Sequence, residues 1–182
     1  MVPVQLLRAG VRVALGLAAL VALAGLASGP GLKDLPQAWH DDAGKQTTLA
    51  AHVGRPVVLT MAYASCHRIC PATIQALEAL ETRLEAKGTH ADFVVVGYDP
   101  KRDDAAAWRH FRALHHLERA NWSFLGGSPE DTARLARELG FEFWNYDEHV
   151  MHDSRVVVFD AGGRLVAAAN PAKPEWAAVW KD

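Results

Sequence analysis

Val57-Val58-Leu59-Thr60-Met61-Ala62-Tyr63-Ala64-Ser65-Cys66-His67-Arg68-Ile69-Cys70-Pro71 is the stretch from which the architecture can be read. Its first six residues are an apolar run of strand length, introduced by Gly54-Arg55-Pro56, which predicts a buried central strand. After Pro71 the apolar positions Ile74, Leu77, Leu80 and Leu84 recur at helical spacing, and Gly88 marks the end of that helix. A buried strand that hands over to a helix N-terminus opens an α/β unit. Both cysteines of the chain, Cys66 and Cys70, sit at that handover.

Working outward, Ala38–His40 and Gln46–Leu49 flank Asp41-Asp42-Ala43-Gly44 and read as a β-hairpin. Downstream, Phe93–Tyr98 is a second apolar strand closed by Asp99-Pro100, and a helix is expected from about Asp104 to Leu114. Ser128-Pro129-Glu130-Asp131 combines an N-cap serine, a first-turn proline and an acid, so a helix starts there and stops at Gly140. Arg155–Phe159 and Arg164–Ala169, joined by Asp160-Ala161-Gly162-Gly163, read as a strand hairpin. Tyr146–Ser154 reads as a polar loop and Pro174–Trp180 as a short final helix. The order suits an α/β fold: a sandwich with a mixed central β-sheet flanked by helices and an N-terminal β-hairpin, the thioredoxin-like arrangement among them.

Composition narrows the function classes. In 182 residues, half are hydrophobic and 22% charged, which fits neither a disordered nor a coiled-coil chain. A net charge of -2 supplies no basic field, so nucleic acid is not expected as a partner. Two cysteines are too few for a disulfide-stapled mini-domain or a four-cysteine zinc or iron–sulfur site.

The N-terminus carries an export signature. Arg8 and Arg12 precede an uncharged run, Val13–Leu32, with no acid before Asp34. The expected organisation is therefore a signal peptide or N-terminal membrane anchor over residues 1–32 and one globular domain over residues 33–182. The run is just long enough to cross about 30 Å of hydrocarbon, while Gly29, Pro30 and Gly31 make its end a poor helix. Cleaved and uncleaved forms both fit. In either, the arginines stay on the cytoplasmic side and the domain is exported, as a periplasmic protein that an uncleaved segment would hold to the inner membrane.

At a helix N-terminus the unpaired N–H groups favour the thiolate, which is both the nucleophile and the metal ligand. Three residues separate Cys66 from Cys70, whereas a thioredoxin-type redox motif has two. Four apart on a helix, two sulfurs can grip one soft ion, and they can reach disulfide distance if the turn relaxes. The pair is thus redox-active and metal-competent at once. A purely structural disulfide would close too small a loop to constrain the unfolded chain much. Two sulfurs and one imidazole suit zinc, and suit copper at least as well in an exported protein. Among nine histidines, His67 is expected to point off the shared face of the cysteines, and His110, His115 and His116 to be solvated. The polar loop before Arg155, which holds His149 and His152, is the better source of a third ligand.

Together with Tyr98-Asp99-Pro100, Trp122-Ser123-Phe124-Leu125, Leu135-Ala136, Leu139-Gly140, and His152-Asp153-Ser154 leading to Asp160-Ala161-Gly162-Gly163, the opening stretch resembles the Sco/SenC family of copper-handling proteins over roughly Leu35 to Ala169. The resemblance implies a thioredoxin-like fold that binds one copper ion, as Cu(I), Cu(II) or both, through Cys66, Cys70 and His152. It also implies a role in assembling the dinuclear copper centre of a respiratory oxidase. The implied partners are the copper-receiving oxidase subunit, with other copper chaperones or thiol reductants alongside. His67-Arg68 departs from the family, which often has an acid between its cysteines, and makes the rim basic. Two functions follow: a copper metallochaperone acting by ligand exchange, and a thiol-disulfide oxidoreductase in which Cys66 attacks and Cys70 resolves. A peroxidase is the weaker third, because its chemistry gives a distal histidine no role.

Overall fold

The computed structural model describes residues 29–65, 69–147, 149–173, 176, 178 and 180, and for residues 69–71 the backbone alone. Residues 1–28 of the segment expected to direct export, and the Cys66-His67-Arg68 tripeptide, fall outside the described residues, as does most of the final helix expected at Pro174–Trp180. Leu32, at the end of that export segment, is buried and donates its N–H to the Gly163 carbonyl at 2.7 Å. Among the described residues, nine strands and three α-helices follow one another, with two short 3-10 helices at Leu32–Asp34 and Leu49–His52: β1 (Trp39–Asp41), β2 (Gln46–Thr47), β3 (Val57–Ala62), α1 (Ile69–Ala86), β4 (Asp92–Gly97), α2 (Ala105–Leu114), β5 (Trp122–Gly126), α3 (Pro129–Leu139), β6 (Phe143–Tyr146), β7 (His149–His152), β8 (Val156–Phe159) and β9 (Leu165–Ala169).

Seven strands form one sheet in the order β2-β1-β5-β4-β3-β8-β9. β3 pairs parallel with β4 from Val57↔Asp92 to Ala62↔Gly97, and antiparallel with β8. Every residue of β3 and β4 is buried, which is why both read as continuous apolar runs rather than alternating ones. Parallel neighbours need crossovers, supplied by α1 between β3 and β4 and by α2 between β4 and β5. α1 buries Ile74, Leu77, Leu80 and Leu84, the residues whose spacing predicts it. It begins at Ile69, so Pro71 lies in the first turn, where a missing N–H costs nothing. Asp104 caps α2 by accepting from the Ala107 N–H, and Ser128 caps α3 by accepting from the Asp131 N–H. Gly140 ends α3 at φ 71°, a left-handed conformation that glycine adopts without strain.

Three strands, β5, β6 and β7, depart from the sequence reading. Trp122–Gly126 is β5, a strand between β4 and β1 whose Trp122 and Phe124 are buried. Its Trp122 stacks on Phe93 with ring centroids 4.9 Å apart, and Phe124 packs against Trp108 and Phe111 of α2. The polar loop expected at Tyr146–Ser154 is for the most part structured: β6 and β7 pair antiparallel, from Phe143↔His152 to Tyr146↔His149, in a two-stranded sheet of their own. The N-terminal hairpin is present, but its second strand ends at Thr47 because Leu49–His52 turns as a 3-10 helix. Among the described residues no helix is long and apolar enough to cross a membrane.

A buried carboxylate ties α1 to the sheet. Glu81 accepts hydrogen bonds from Arg119 at 2.7 Å, Asn121 at 2.7 Å and the Trp122 indole at 3.0 Å. A charge this deep is tolerable only because several donors replace its water.

Candidate functional site

The parallel strands β3 and β4 run out at the same end of the sheet, where α/β folds place their functional loops. Tyr63 and Tyr98 follow them directly, and the Tyr98 N–H donates to the Ala62 carbonyl at 2.7 Å, carrying the ladder one step further. Into this corner β7 delivers His152, which is only 8% exposed. The imidazole meets Tyr63 edge-on at 5.7 Å between centroids and lies tilted against Tyr98 at 4.8 Å. Aromatic walls on two sides hold the ring and keep bulk water from it.

The orientation of that ring has a chemical consequence. His152 Nδ1 lies 2.6 Å from the Asp153 backbone carbonyl oxygen, which can only accept. Nδ1 therefore carries the proton, and any metal bond falls to Nε2. Asp153 is anchored by its N–H to the Glu142 carbonyl at 3.0 Å, and burial holds its carboxyl above the usual range. Strand alternation sorts the two histidines: in β7 the exposure pattern turns His152 and Val150 inward and leaves His149 and Met151 exposed.

The loop that leads to Cys66 is pinned by a residue the sequence reading passes over. Asp103 is 2% exposed, and its two carboxylate oxygens accept from the Ala64 N–H and the Asp99 N–H, each at 2.8 Å. Glycine is required around it: a Cβ at Gly97 would lie 2.7 Å from the Asp103 carboxylate, and one at Gly126 would lie 2.4 Å from its carbonyl oxygen. Burial pushes the Asp103 carboxyl up to about 7, against the pull of the two N–H donors. The only sequence signal for it is the Asp99-Pro100 strand stop four residues earlier. The aromatic walls carry no signal beyond two tyrosines at strand ends.

Of the three residues singled out as ligands, His152 stands beside Tyr63, and Cys70 belongs to the first turn of α1, where N–H groups favour a thiolate. Cys66 lies outside the described residues, three positions beyond Tyr63 in the sequence. Among the described residues no three His, Cys, Asp or Glu side chains gather as a metal cluster. Two of the other histidines have structural partners. His52 Nδ1 meets Asp92 at 2.9 Å at the opposite end of β4, and His115 packs on Phe111.

Comparison with curated proteins gives no match. Solved structures do match. Copper-bound yeast Sco1 superposes with a TM-score of 0.69 at 19% identity, covering 83% of this chain and 83% of that one. Copper-bound Arabidopsis thaliana ScoI gives 0.68 at 21% identity, covering 78% of this chain and 87% of that one. BsSco, a member of the Sco family of cytochrome c oxidase assembly proteins in which a disulfide switch was identified, gives 0.69 at 20% identity over 80% of this chain and 86% of that one. Likeness at these identities shows the fold, the thioredoxin-like arrangement of Sco structures. The family model described as SCO1/SenC matches residues 35–181, nearly the whole of the chain beyond its apolar N-terminus, and the chain belongs to that family.

Proposed function

We propose that residues 33–182 are a copper-binding domain that takes one copper ion on Cys66, Cys70 and His152 and hands it to the copper-receiving subunit of a respiratory oxidase, for its dinuclear centre. Residues 1–32 export it as a cleaved signal or an inner-membrane anchor, so it works in the periplasm. The observation that carries this reading is His152: an imidazole walled by Tyr63 and Tyr98, held by its Nδ1 and so able to ligate only through Nε2, next to the loop that leads to a dithiol. Dithiol exchange alone has no use for such a group. The donor set fits the cargo, since soft thiolates with one imidazole suit Cu(I) and Cu(II) and leave positions open for a partner's ligands to invade. Copper-bound yeast and Arabidopsis relatives and an oxidase-assembly relative share the fold.

The thiol-disulfide reductase is the second reading, favoured by the placement of Cys70 in the first turn of α1. Anaerobic copper titration of the reduced full-length chain separates the two. One tightly bound ion, lost on oxidation or in Cys66→Ser and Cys70→Ser, supports the chaperone. Binding by the oxidised chain, whose thiolates are gone, as tight as that by the reduced one would overturn it.

A further inference from the structure

The hairpin that carries His152 has a second face. Cross-strand pairing sets Trp144 opposite Met151 and Tyr146 opposite His149. All four are exposed: Trp144 56%, Tyr146 69%, Met151 40%, with His149 beside them. Only five large hydrophobic side chains are this exposed among the described residues, and three of them meet here. A two-stranded ribbon gains from cross-strand pairs, but aliphatic pairs would serve that end; a thioether and an imidazole are also donors. His149 and Met151 are two apart on one strand, so their Cα atoms stand about 7 Å apart on the same face. A metal bonded to both would hold sulfur and nitrogen about 4 Å apart, a gap that the three rotatable bonds of methionine close. Thioether with imidazole is a soft, low-coordinate set suited to Cu(I), and the Trp144 ring across the pair offers its π-face to the cation. From Phe141 to Ser154 there are four acids and no Lys or Arg, with Glu142 and Asp147 exposed, so the local field draws cations.

We propose that the outer face of the β6–β7 hairpin is a second, weaker Cu(I) site, with Met151 and His149 as ligands over Trp144, on which the ion lands before it reaches the cysteines. This landing role rests on copper being the cargo of the site above. Transfer inward is ligand exchange at constant oxidation state. The bonds to thioether and imidazole break, bonds to two thiolates form, and the thiol protons leave to water. The gradient runs inward because two thiolates hold Cu(I) more tightly than a thioether does.

The test uses the full-length chain with Cys66→Ser and Cys70→Ser, titrated anaerobically with Cu(I) and, in parallel, with redox-inert Ag(I), reading bound metal and tryptophan emission. One ion per chain with quenched emission is expected. Adding Met151→Leu or His149→Ala should weaken binding by at least about tenfold, the scale on which metal-site groups act. Adding Trp144→Phe should keep the ion and lose the quench. If the thiol-free chain takes up nothing, or still holds its ion after both His149→Ala and Met151→Leu, there is no such site. With both cysteines present, the Met151→Leu and His149→Ala chain should load copper several-fold more slowly at limiting metal and reach the same final occupancy of the cysteine site; an unchanged rate overturns the landing role. Failure of the chaperone reading shows elsewhere, as absent tight binding by intact cysteines, which the thiol-free titration does not sample.

Discussion

Single residues carry the sharpest tests. On the proposed ligand set, removing the His152 imidazole would leave two sulfurs and an open position, so His152→Ala should lose Cu(II) more completely than Cu(I), which two thiolates can still hold. Reduction of a model disulfide should change little, because it depends on the thiolate fraction and access of Cys66. Copper spectra beside a dithiol assay check this, and a collapse of dithiol activity in His152→Ala would contradict it. Asp103 supplies a pH test. Its carboxyl is raised from 3.8 to about 7 in the fold, so between those values the native state holds a proton that the unfolded chain has released. On its account stability falls as pH rises through that window, and a rise of that size corresponds to at most on the order of 4 kcal/mol. Urea midpoints measured from pH 4 to 8 should decline less steeply in Asp103→Asn than in the wild type. Of these residues the sequence exposes the cysteines, which are rare and sit at a strand-to-helix junction. Asp103 is invisible there, because its importance lies in which backbone groups it reaches after folding.

At the scale of elements, Glu81 is the tie between α1 and the start of β5. Glu81→Ala would leave the Trp122 indole N–H, the Asn121 amide and the Arg119 guanidinium without their carboxylate, a loss of about 3–5 kcal/mol by the usual cost of breaking a buried pair. Urea denaturation reads it directly, and a loss under about 1 kcal/mol would mean that water replaces the carboxylate. β7 gives a second test. Because His149 faces solvent and His152 the interior, His149→Ala should leave the Cu(II) stoichiometry of the inner site intact while His152→Ala does not. Elements differ in how far they can be read beforehand. β3 and β4 are evident because burial on both faces demands unbroken apolar runs, and α3 because Ser128, Pro129 and Gly140 mark both its ends. β5 is hidden: its five residues include Ser123 and end on the first glycine of Gly126-Gly127. β6 and β7 are hidden because one face is solvated and their turn is charged, so the period-two alternation of His149-Val150-Met151-His152 passes for a polar loop.

For the whole molecule, an ion bound only by the native dithiol state must stabilise it. At metal about a hundredfold above the dissociation constant of the cysteine site, copper should add about 2.7 kcal/mol to the reduced chain and far less to the oxidised one, read as a metal-dependent shift in thermal midpoint. Equal shifts in both redox states would show binding away from the cysteines. The topology adds one more consequence. His152 rides on a two-stranded sheet separate from the seven-stranded one, while Cys70 is rooted in α1 behind the buried strand β3. Ribbons of this kind open locally at a small fraction of the global unfolding free energy. In native-state hydrogen exchange the amides of β6 and β7 should therefore lose protection well before those of β3 and β4. On the proposed ligand set each such opening would withdraw the imidazole from the ion without unfolding α1, so the residence time of the cargo would follow the breathing of one ribbon rather than the stability of the whole sheet.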